Sequence, residues 1–424
     1  MKLVMTMNRI YLCIDLKTFY ASVECIERGL DPFQTDLIVA DPSRAVGAIC
    51  LAISPKMKER GIKNRCRVYE IPKEIKPIVA KPRMKKYMEY SARIYQIYLK
   101  YISKEDIHVY SIDEAFLDIT NYLKLYQKNP EELAQMILKD ILDETKLTAT
   151  VGIGTNLFLA KIALDIIAKH NENHLGYLNE ELFQKKLGDH TPLTDFWQIG
   201  KGIAKRLDKY HIKTMNDICQ IDPYLLYKEF GIEAEFLIDH AHGRESCTIK
   251  EIKEYHPKSN SFSNSQILYE DYDKKRAKIV LIEMLDSLLS RLILYEATLS
   301  KVCVYIGYSK DKIPGLKYSI SWPQKTDYYH DILDRVTKEY NEKASKTVPI
   351  RKIGISFHGI EKRKIEQLSL FEDSERKEGD RKMKKVMNQI QTKFGRSAIF
   401  KAISLSSGGT QLERNKLIGG HNAE

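Results

Sequence analysis

Apolar and polar positions alternate in a way that predicts a mixed strand and helix fold for the first part of the chain. Three apolar runs predict strands, at residues 10–16, 107–119 and 149–154. Helical periodicity predicts helices, from about residue 19 and over 87–102, 130–144 and 156–169. Residues 31–77 predict a small α/β insertion, with strands at 37–40 and 47–52 and a helix from Pro55 to Gly61. The resulting βαββαβ order predicts a mixed or antiparallel sheet with helices on one face.

The rest of the chain changes pattern twice. Residues 178–246 predict only short helices, and residues 248–266 are polar and predict a linker or an edge strand. A second α/β unit follows, with helices at 274–295 and 327–344 and strands at 299–308, 316–322 and 350–359. Residues 372–385 are highly charged, and glycines at 408, 409, 419 and 420 predict a loose tail.

Carboxylates interrupt two of the apolar runs. Asp15 ends the first run, and Asp113 and Glu114 stand inside the run at 107–119. An ionised acid in such a setting is costly unless a positive charge meets it, and two unit charges about 4 Å apart repel by roughly 4 kcal/mol at an effective dielectric of about 20. If the strands are neighbours, a divalent cation relieves this repulsion, and hard oxygen ligands select Mg²⁺. A helix cap or a surface salt bridge is the alternative for a single Asp-Glu pair.

The charge distribution separates the two parts of the chain. The net charge is +11, of which residues 248–424 carry +10 and residues 1–247 only +1. A basic module beside a neutral one favours polyanion binding, most simply nucleic acid. A generic lysine-rich surface explains the composition equally well.

Cysteine usage and hydropathy exclude several classes of protein. The seven cysteines are scattered without a Cys-x-x-Cys pair, which favours reduced thiols over a disulfide framework or a zinc site. No apolar run reaches the roughly 18 residues of a membrane span, and the start is too short for a secretory signal. We therefore expect a cytoplasmic protein.

A glycine pair marks a candidate contact with DNA. Gly200 and Gly202 flank Lys201 between two predicted helices, an arrangement similar to a helix-hairpin-helix. The backbone N–H groups of such a turn can hold a DNA phosphate. The alternative is a plain helix stop.

Three segments in order resemble the Y-family, or translesion, DNA polymerases over almost the whole chain: 14–24 (IDLKTFYASVE), 110–116 (YSIDEAF) and 152–163 (GIGTNLFLAKIA). The ending at 414–421 is similar to the UmuC-like subgroup of Gram-positive bacteria, in the ImpB/MucB/SamB family. The resemblance implies an α+β multidomain right-hand fold. Its parts would be a palm at 1–18 and 84–175, fingers at 19–83, a helical thumb at 176–246, a linker at 247–257, an α/β little finger at 258–366 and a charged, partly flexible tail at 372–424.

The family chemistry implies templated addition of deoxynucleotides to a primer 3′-hydroxyl with two Mg²⁺ ions, for which Mn²⁺ is a substitute. Asp15 and Asp113 would bridge the ions, with the Leu16 carbonyl and Glu114 as further ligands. Lys161 and Lys58 would contact the triphosphate, and Tyr20 would be the steric gate against ribonucleotides. Three positions depart from the family. Lys17 replaces an acid that is not a required ligand, and Pro55 and Lys58 replace a tyrosine and an arginine that contact the triphosphate.

The partners implied are primer-template DNA, deoxynucleotides and a β sliding clamp, whereas a need for RecA or a small accessory protein is left open. The segment Gln367-Leu368-Ser369-Leu370-Phe371 resembles a clamp-binding motif, and a last strand of the little finger is its alternative. Error-prone damage bypass within an SOS-type repair response is the expected role. A DNA-binding accessory subunit with little activity and a nucleotidyl cyclase are the competing functions, which intact carboxylates and the basic C-terminal part argue against.

Overall fold

The computed structural model describes residues 9–42, 47–257, 260–309, 313–363 and 374–424. Contacts divide the chain into two compact units. Unit 1 comprises Met1–Tyr255 and His421–Glu424, and unit 2 comprises His256–Gly420. Within the described ranges, no helix is long and apolar enough to cross a membrane.

A five-stranded sheet forms the centre of unit 1. Its spatial order is β5 (Ile107–Val109), β6 (Glu114–Asp118), β1 (Tyr11–Leu16), β7 (Ala149–Gly154) and β8 (Leu175–Leu178). All neighbours are antiparallel except β7 and β8. The apolar runs at residues 10–16 and 149–154 are strands as predicted, while β8 was not predicted from the sequence.

The predicted strand at residues 107–119 is instead the β5–β6 hairpin. Tyr110 N–H and Ser111 N–H both donate to the Glu114 carbonyl, at 2.9 and 3.0 Å, and close a turn that contains Asp113. The Ser111 hydroxyl donates to the Asp113 carboxylate at 2.6 Å. Such local side-chain bonding favours a turn over a continuous strand, so the adjacent acids lie at a hairpin end.

Helices and a small sheet complete unit 1. The longer helices are α1 (Phe19–Ile26), α3 (Met84–Tyr101) and α5 (Pro130–Thr145), and the short ones are α2 (Pro55–Glu59) and α4 (Tyr122–Tyr126). The insertion contains a three-stranded sheet, in the order β3 (Ala52–Ile53), β2 (Leu37–Val39) and β4 (Ile78–Ala80). The predicted strand at 47–52 is therefore shorter than expected, with one isolated bridge between Ile49 and Arg67 before β3.

The helix predicted at residues 156–169 changes its pitch halfway. It begins as α6 (Leu157–Ile162), continues as a π-helical turn over Ala163–Ile167 and ends in a 3₁₀ turn at Ala168–His170. The Gly-x-Gly of β7 explains its close seat on the sheet, because a Cβ at Gly152 or Gly154 would lie 2.1 Å from backbone atoms of Ala160. Any side chain at these glycines would push the helix away.

Residues 178–246 form short helices, as predicted. They are α7 (Glu180–Leu187), α8 (Lys201–Asp208), α9 (Met215–Gln220), α10 (Pro223–Phe230) and α11 (Glu233–Ala241), and α12 (Ile249–Glu254) follows. Their core joins Phe158 and Ile162 of α6 to Phe183, Phe196 and Leu207. Burial of these aromatic and aliphatic side chains fixes the helices against the end of the central sheet.

Unit 2 is an antiparallel sheet covered by helices. Its order is β11 (Leu316–Thr326), β10 (Ala297–Tyr308), β12 (Ile350–Lys362) and β9 (Asn260–Tyr272). The apolar face packs against α13 (Lys274–Leu294) and α14 (Tyr329–Lys343). Residues 260–266 belong to β9, which is an edge strand, and an edge strand was one of the two predictions for residues 248–266. Helix α12 occupies residues that were expected to be a linker.

The charged stretch after residue 372 is helical where it is described, although the sequence predicted a partly flexible tail. Helix α15 (Ser374–Phe394) lies against α13, with Lys384 Nζ 2.6 Å from Asp286 Oδ2. The buried carboxylate of Glu283 accepts hydrogen bonds from Thr410 and Gln411 N–H groups at 2.9 and 3.2 Å. The chain ends in α16 (Gln411–Asn415) and a short hairpin, β13 (Leu417–Ile418) and β14 (His421–Asn422).

Candidate active site

The structure brings the three predicted carboxylates to one end of the central sheet. Asp15 and Glu114 are directly opposite each other on β1 and β6, so their side chains lie on the same face of the sheet. Asp113 is held beside them, because Leu16 N–H donates to its carbonyl at 3.0 Å. The Asp15 and Asp113 charges interact closely enough to affect the pKa of Asp15.

Two lysines neutralise these acids in an alternating chain of charges. Lys161 Nζ lies 2.7 Å from Glu114 Oε1 and 3.0 Å from Asp165 Oδ2. Lys169 Nζ lies 2.7 Å from Asp165 Oδ1 and 3.1 Å from Asp15 Oδ2. The chain therefore runs Glu114, Lys161, Asp165, Lys169, Asp15, with Asp165 shared between the two ammonium groups.

The π-helical turn explains why both lysines reach the sheet. Lys161, Asp165 and Lys169 are four residues apart, and a regular α-helix rotates such a series steadily away from one line. A π turn is wider, so each residue advances by a smaller angle and the three side chains stay aligned. π-helical turns inside α-helices frequently occur at functional sites.

Burial sets the proton affinities at this site. It raises the pKa of Asp15 from 3.8 to about 6, although the Lys169 ammonium acts in the opposite direction. Burial alone would lower the pKa of Lys169, but Asp15 and Asp165 raise it above its ordinary value. A perturbed carboxylate next to a cation at the edge of a fold is typical of a functional site.

The donor chemistry fits a hard divalent cation. Carboxylate oxygens of Asp15, Asp113 and Glu114 and the Leu16 carbonyl are oxygen ligands of the type that Mg²⁺ prefers. In the described part of the chain, no three His, Cys, Asp or Glu side chains are grouped closely enough to form a metal cage. The ammonium groups of Lys161 and Lys169 balance the negative charge of Glu114 and Asp15. The Lys169 side chain is 39% exposed and is the more accessible of the two lysines.

Lys161 differs from Lys169 in accessibility. Its side chain is only 9% exposed and is engaged by two carboxylates, so its position favours holding Glu114 over reaching a triphosphate. Neither Lys169 nor Asp165 was predicted from the sequence to belong to the site. The i, i+4 repeat of Lys161, Asp165 and Lys169 is visible in the sequence, but such charge pairs are common on exposed helices.

Tyr20 stands on the first turn of α1, next to the carboxylates. Its ring is stacked on Tyr87 of α3, with centroids 4.4 Å apart and planes inclined by 24°. Burial raises the pKa of Tyr20, and the Asp113 charge adds to the shift. A rigid aromatic ring thus lies beside the predicted metal ligands, as a steric gate requires.

Lys58 and Pro55 lie on the short helix α2, whose N-terminus is capped by the Ser54 hydroxyl. Pro55 is buried, whereas Lys58 is exposed, and its ammonium interacts electrostatically with Lys169, Asp15 and Lys17. Lys17, Lys58 and Lys169 thus create positive potential around Asp15. A polyanionic ligand would be attracted to this edge.

The glycine-lysine-glycine segment is exposed at the start of a helix. Gly200 is the N-cap of α8, and Cβ atoms built at Gly200 or Gly202 would meet no heavy atom within 4 Å. The expected preceding helix of a helix-hairpin-helix is only a 3₁₀ turn at Leu193–Asp195. The motif therefore resembles one half of that structure, a helix N-terminus with accessible N–H groups.

Unit 2 carries a second polar surface, which we call the open face of its sheet. Alternation along the strands turns Val302 and Ile355 toward the helices and the exposed residues Lys301, Lys317 and Lys352 away from them. Tyr305 lies between two of these lysines, with Nζ atoms 5.5 and 5.8 Å from its ring centroid. The face encloses a shallow depression of about 480 Å³ that is lined with serines, lysines and Tyr305.

The predicted clamp-binding residues Gln367, Leu368, Leu370 and Phe371 lie outside the described residues.

Comparison with known proteins finds a family match in each of the two units. Residues 14–165 match the impB/mucB/samB family, and residues 259–370 match the impB/mucB/samB family C-terminal domain. The chain is 34% identical over 418 residues to the putative UV-damage repair protein UvrX of Bacillus subtilis, covering 97% of each chain. It is 30% identical over 431 residues to DNA polymerase IV 2 of the same organism, covering 98% of this chain and 100% of that one.

The fold is shared with a solved structure. A Y-family DNA polymerase chimera, Dbh-Dpo4(243-245)-Dbh, superimposes with a TM-score of 0.65 at 23% sequence identity. The match covers 84% of this chain and 100% of that chain. The predicted α+β right-hand architecture with a C-terminal domain is thereby confirmed.

Proposed function

The chain belongs to the impB/mucB/samB family of Y-family, UmuC-like DNA polymerases, and we propose that it copies damaged templates by a two-metal mechanism. The observation that carries the mechanism is the cross-strand pairing of Asp15 with Glu114 beside Asp113. As a DNA-directed DNA polymerase, it extends a primer on a template. Family membership disfavours the nucleotidyl cyclase, and the intact carboxylates disfavour an inactive accessory subunit.

Each residue of the site has a distinct part in this proposal. When bound, two Mg²⁺ ions supply activation of the primer 3′-hydroxyl and neutralise charge on the leaving pyrophosphate. Asp15, Asp113, Glu114 and the Leu16 carbonyl would hold these ions. Lys161, fixed between Glu114 and Asp165, keeps the Glu114 carboxylate oriented.

The nucleotide is held by the positive groups around Asp15. Lys169, the more accessible lysine beside Asp15, would contact the triphosphate through its ammonium together with Lys58. Lysine contacts phosphate as a point charge without the bidentate geometry of arginine, and Pro55 offers no hydroxyl. Tyr20 excludes ribonucleotides by occupying the space of a 2′-hydroxyl.

In this proposal, two surfaces of the protein bind DNA. The open face of unit 2 offers Lys301, Lys317 and Lys352 to backbone phosphates, and none of them is paired with a carboxylate among the described residues. In unit 1, the exposed N–H groups at Gly200, Lys201 and Gly202 suit a further phosphate. If the damaged template is chromosomal DNA, the protein would act in the cytoplasm at the nucleoid.

The test of the function is primer extension on undamaged and lesion-containing templates with Mg²⁺, and with Mn²⁺ as the substitute. Extension past the lesion supports the proposal. Template-dependent extension that always stops before the lesion would contradict damage bypass, and DNA binding without any extension would favour the accessory subunit.

We also propose that residues 367–371 bind the β sliding clamp. Leu370 and Phe371 would be the apolar anchors, and truncating an anchor typically costs at least about 2 kcal/mol, or roughly thirtyfold in affinity. The double variant Leu370→Ala and Phe371→Ala should lose clamp binding and clamp-stimulated synthesis. Its clamp-free extension should equal wild type, and a loss of that basal activity would contradict the assignment.

A further inference from the structure

An ion-pair network around one fully buried carboxylate lies close to the Tyr20 ring. Glu24, on α1 one turn after Tyr20, has a side chain with 0% exposure. Arg83 donates to both of its oxygens, from Nε at 3.0 Å and from Nη2 at 2.9 Å, and Arg28 forms a further ion pair with it. A carboxylate removed from water in this way is stable only while such donors surround it.

Tyr87 links this network to Tyr20. Its hydroxyl donates to Glu24 Oε1 at 2.8 Å, and its ring stacks on Tyr20 at 4.4 Å. Because both ends of the fully buried Tyr87 side chain are engaged, the ring can neither rotate nor slide without breaking a contact. Burial of the Glu24 carboxylate would raise its pKa, but hydrogen bonds from Arg83, Arg28 and Tyr87 hold that pKa below its ordinary value.

The Tyr20 side chain makes few other aromatic or polar contacts among the described residues. Its hydroxyl has no hydrogen-bond partner among the residues that the structure describes, and its other ring contact is with Phe19, its neighbour in the chain, at 5.5 Å. The face against Tyr87 is thus the closer of the two aromatic contacts that support the Tyr20 ring. A ring that excludes a single hydroxyl group must be fixed to within a fraction of an ångström.

We propose that Tyr87 is a positioning residue for sugar selection, since its ring, locked to Glu24, holds Tyr20 at the place that a 2′-hydroxyl would need. The inference rests on the proposed function of Tyr20 as the gate. Tyr87 does not touch the nucleotide; it acts through Tyr20. Loss of Tyr87 should therefore relax selectivity between sugars rather than reduce synthesis with both sugars equally.

The same helix provides a matched control. Tyr90 lies one turn further along α3, is also buried, and donates to a carboxylate, Glu27 Oε1, at the same 2.8 Å. Among the described rings, it makes no contact with Tyr20. Tyr90→Leu removes the same atoms and the same type of hydrogen bond as Tyr87→Leu, but it does not remove a ring that is stacked on Tyr20.

The experiment measures kcat/KM for a deoxynucleotide and for the matching ribonucleotide on one primer-template. For Tyr87→Leu we expect the ribonucleotide-to-deoxynucleotide ratio to rise roughly tenfold, in the range of steric discrimination between similar substrates. Tyr87→Phe keeps the ring and loses only the hydrogen bond, so its ratio should rise about two- to threefold. Tyr90→Leu should leave the ratio at the wild-type value.

Tyr20→Ala separates failure of the inference from failure of the proposed gate. If Tyr20→Ala raises the ratio and Tyr87→Leu does not, Tyr87 is only a packing residue and the inference is overturned. An equal rise in Tyr87→Leu and Tyr90→Leu would also overturn it. An unchanged ratio in Tyr20→Ala would remove the gate itself. If Tyr87→Leu does not fold, Tyr87→Phe decides, and an unchanged ratio in that variant overturns the inference.

Discussion

Unit 1 and unit 2 place their charges in opposite ways. In unit 1 the five charged side chains of the chain from Glu114 to Asp15 are 9–39% exposed, and each touches a group of opposite sign. On the open face of unit 2 the charges are exposed and of one sign, at Lys301, Lys317 and Lys352. The net charge of residues 1–247 is +1 and that of residues 248–424 is +10.

The difference corresponds to two kinds of work. Buried, mutually compensated charges have fixed positions and strong local fields, which chemistry at a single phosphorus atom requires. Exposed charges of one sign have weak individual contacts, yet they attract a long polyanion wherever it lies along them. Removing a charge from unit 1 should therefore change catalysis, whereas removing charges from unit 2 should change affinity and its salt dependence.

The largest effect is expected at the carboxylates. Asp15→Asn and Asp113→Asn keep the shape of the side chain and remove its charge, so primer extension should fall by at least about a thousandfold. DNA affinity should stay within about twofold of wild type, because the phosphate contacts are elsewhere. Single-turnover extension and fluorescence anisotropy measure the two quantities. Substantial extension by Asp113→Asn at saturating Mg²⁺ would remove Asp113 from the metal site.

The next largest effect should follow from neutralising the open face of unit 2. Each phosphate contact contributes a slope of roughly −0.9 in log K against log salt on duplex DNA. The triple variant Lys301→Ala, Lys317→Ala and Lys352→Ala should flatten the slope by up to about 2.7 and weaken binding at 0.1 M salt by roughly a hundredfold. Extension at saturating DNA should be largely preserved.

A control for this variant removes the same charge from the opposite layer of unit 2. Lys275 on α13 and Lys338 and Lys343 on α14 are exposed and belong to the helices that cover the other face of the sheet. Their triple alanine variant should keep the wild-type slope. Equal slopes in the two triple variants would mean that net charge, rather than the open face, determines DNA affinity.

The sequence was sufficient to predict a helix, a strand or a site residue where the residues that determine it are close together in the chain. The apolar runs of β1 and β7 and the periodicity of α3 and α5 predicted these elements, the β1 run located Asp15, and the run at 107–119 located Asp113 and Glu114. The turn at Tyr110–Asp113 was missed because its apolar residues continue the strand pattern. Helix α15 was missed because its stability depends on contacts made far along the chain, such as Lys384 with Asp286.

The parts of the site that could not be predicted are those that depend on tertiary contacts. Glu24 and Asp165 appear in the sequence as ordinary helix acids, and only packing shows that one is buried and that the other joins two lysines. Lys169 was missed for a related reason. The π-helical turn that aligns it with Asp15 has no sequence signature that we recognise.

A smaller effect tests whether Lys169 binds the nucleotide. Lys169→Met removes the ammonium beside Asp15, so kcat/KM for deoxynucleotides should fall roughly thirtyfold, mainly through KM. Lys169→Arg should recover part of the loss, because the charge remains. Lys100→Met is the control, since Lys100 pairs with Glu144 on the surface and should be neutral. An unchanged KM in Lys169→Met would restrict this lysine to balancing the charge of Asp15.

The smallest effect concerns stability, and it has the opposite sign to the loss of activity. The pKa of Asp15 is raised from 3.8 in the ordinary state to about 6 in the fold, so the fold favours the protonated carboxyl. That contribution is complete below about pH 4 and is lost as the pH rises through 6.

At pH 8 without divalent metal, wild type carries a penalty that Asp15→Asn avoids. The net shift, which already includes the attraction of Lys169, corresponds to roughly 3 kcal/mol, and partial solvent exposure of Asp15 reduces this figure. We therefore expect Asp15→Asn to be about 1–2 kcal/mol more stable than wild type in urea unfolding with EDTA at pH 8. The gain should shrink toward pH 5, while the exposed Asp143→Asn should show no gain at either pH. Equal stability of Asp15→Asn and wild type at pH 8 would show that Lys169 already compensates Asp15 in full, and the buried charges of unit 1 would then cost the fold no more than the exposed charges of unit 2.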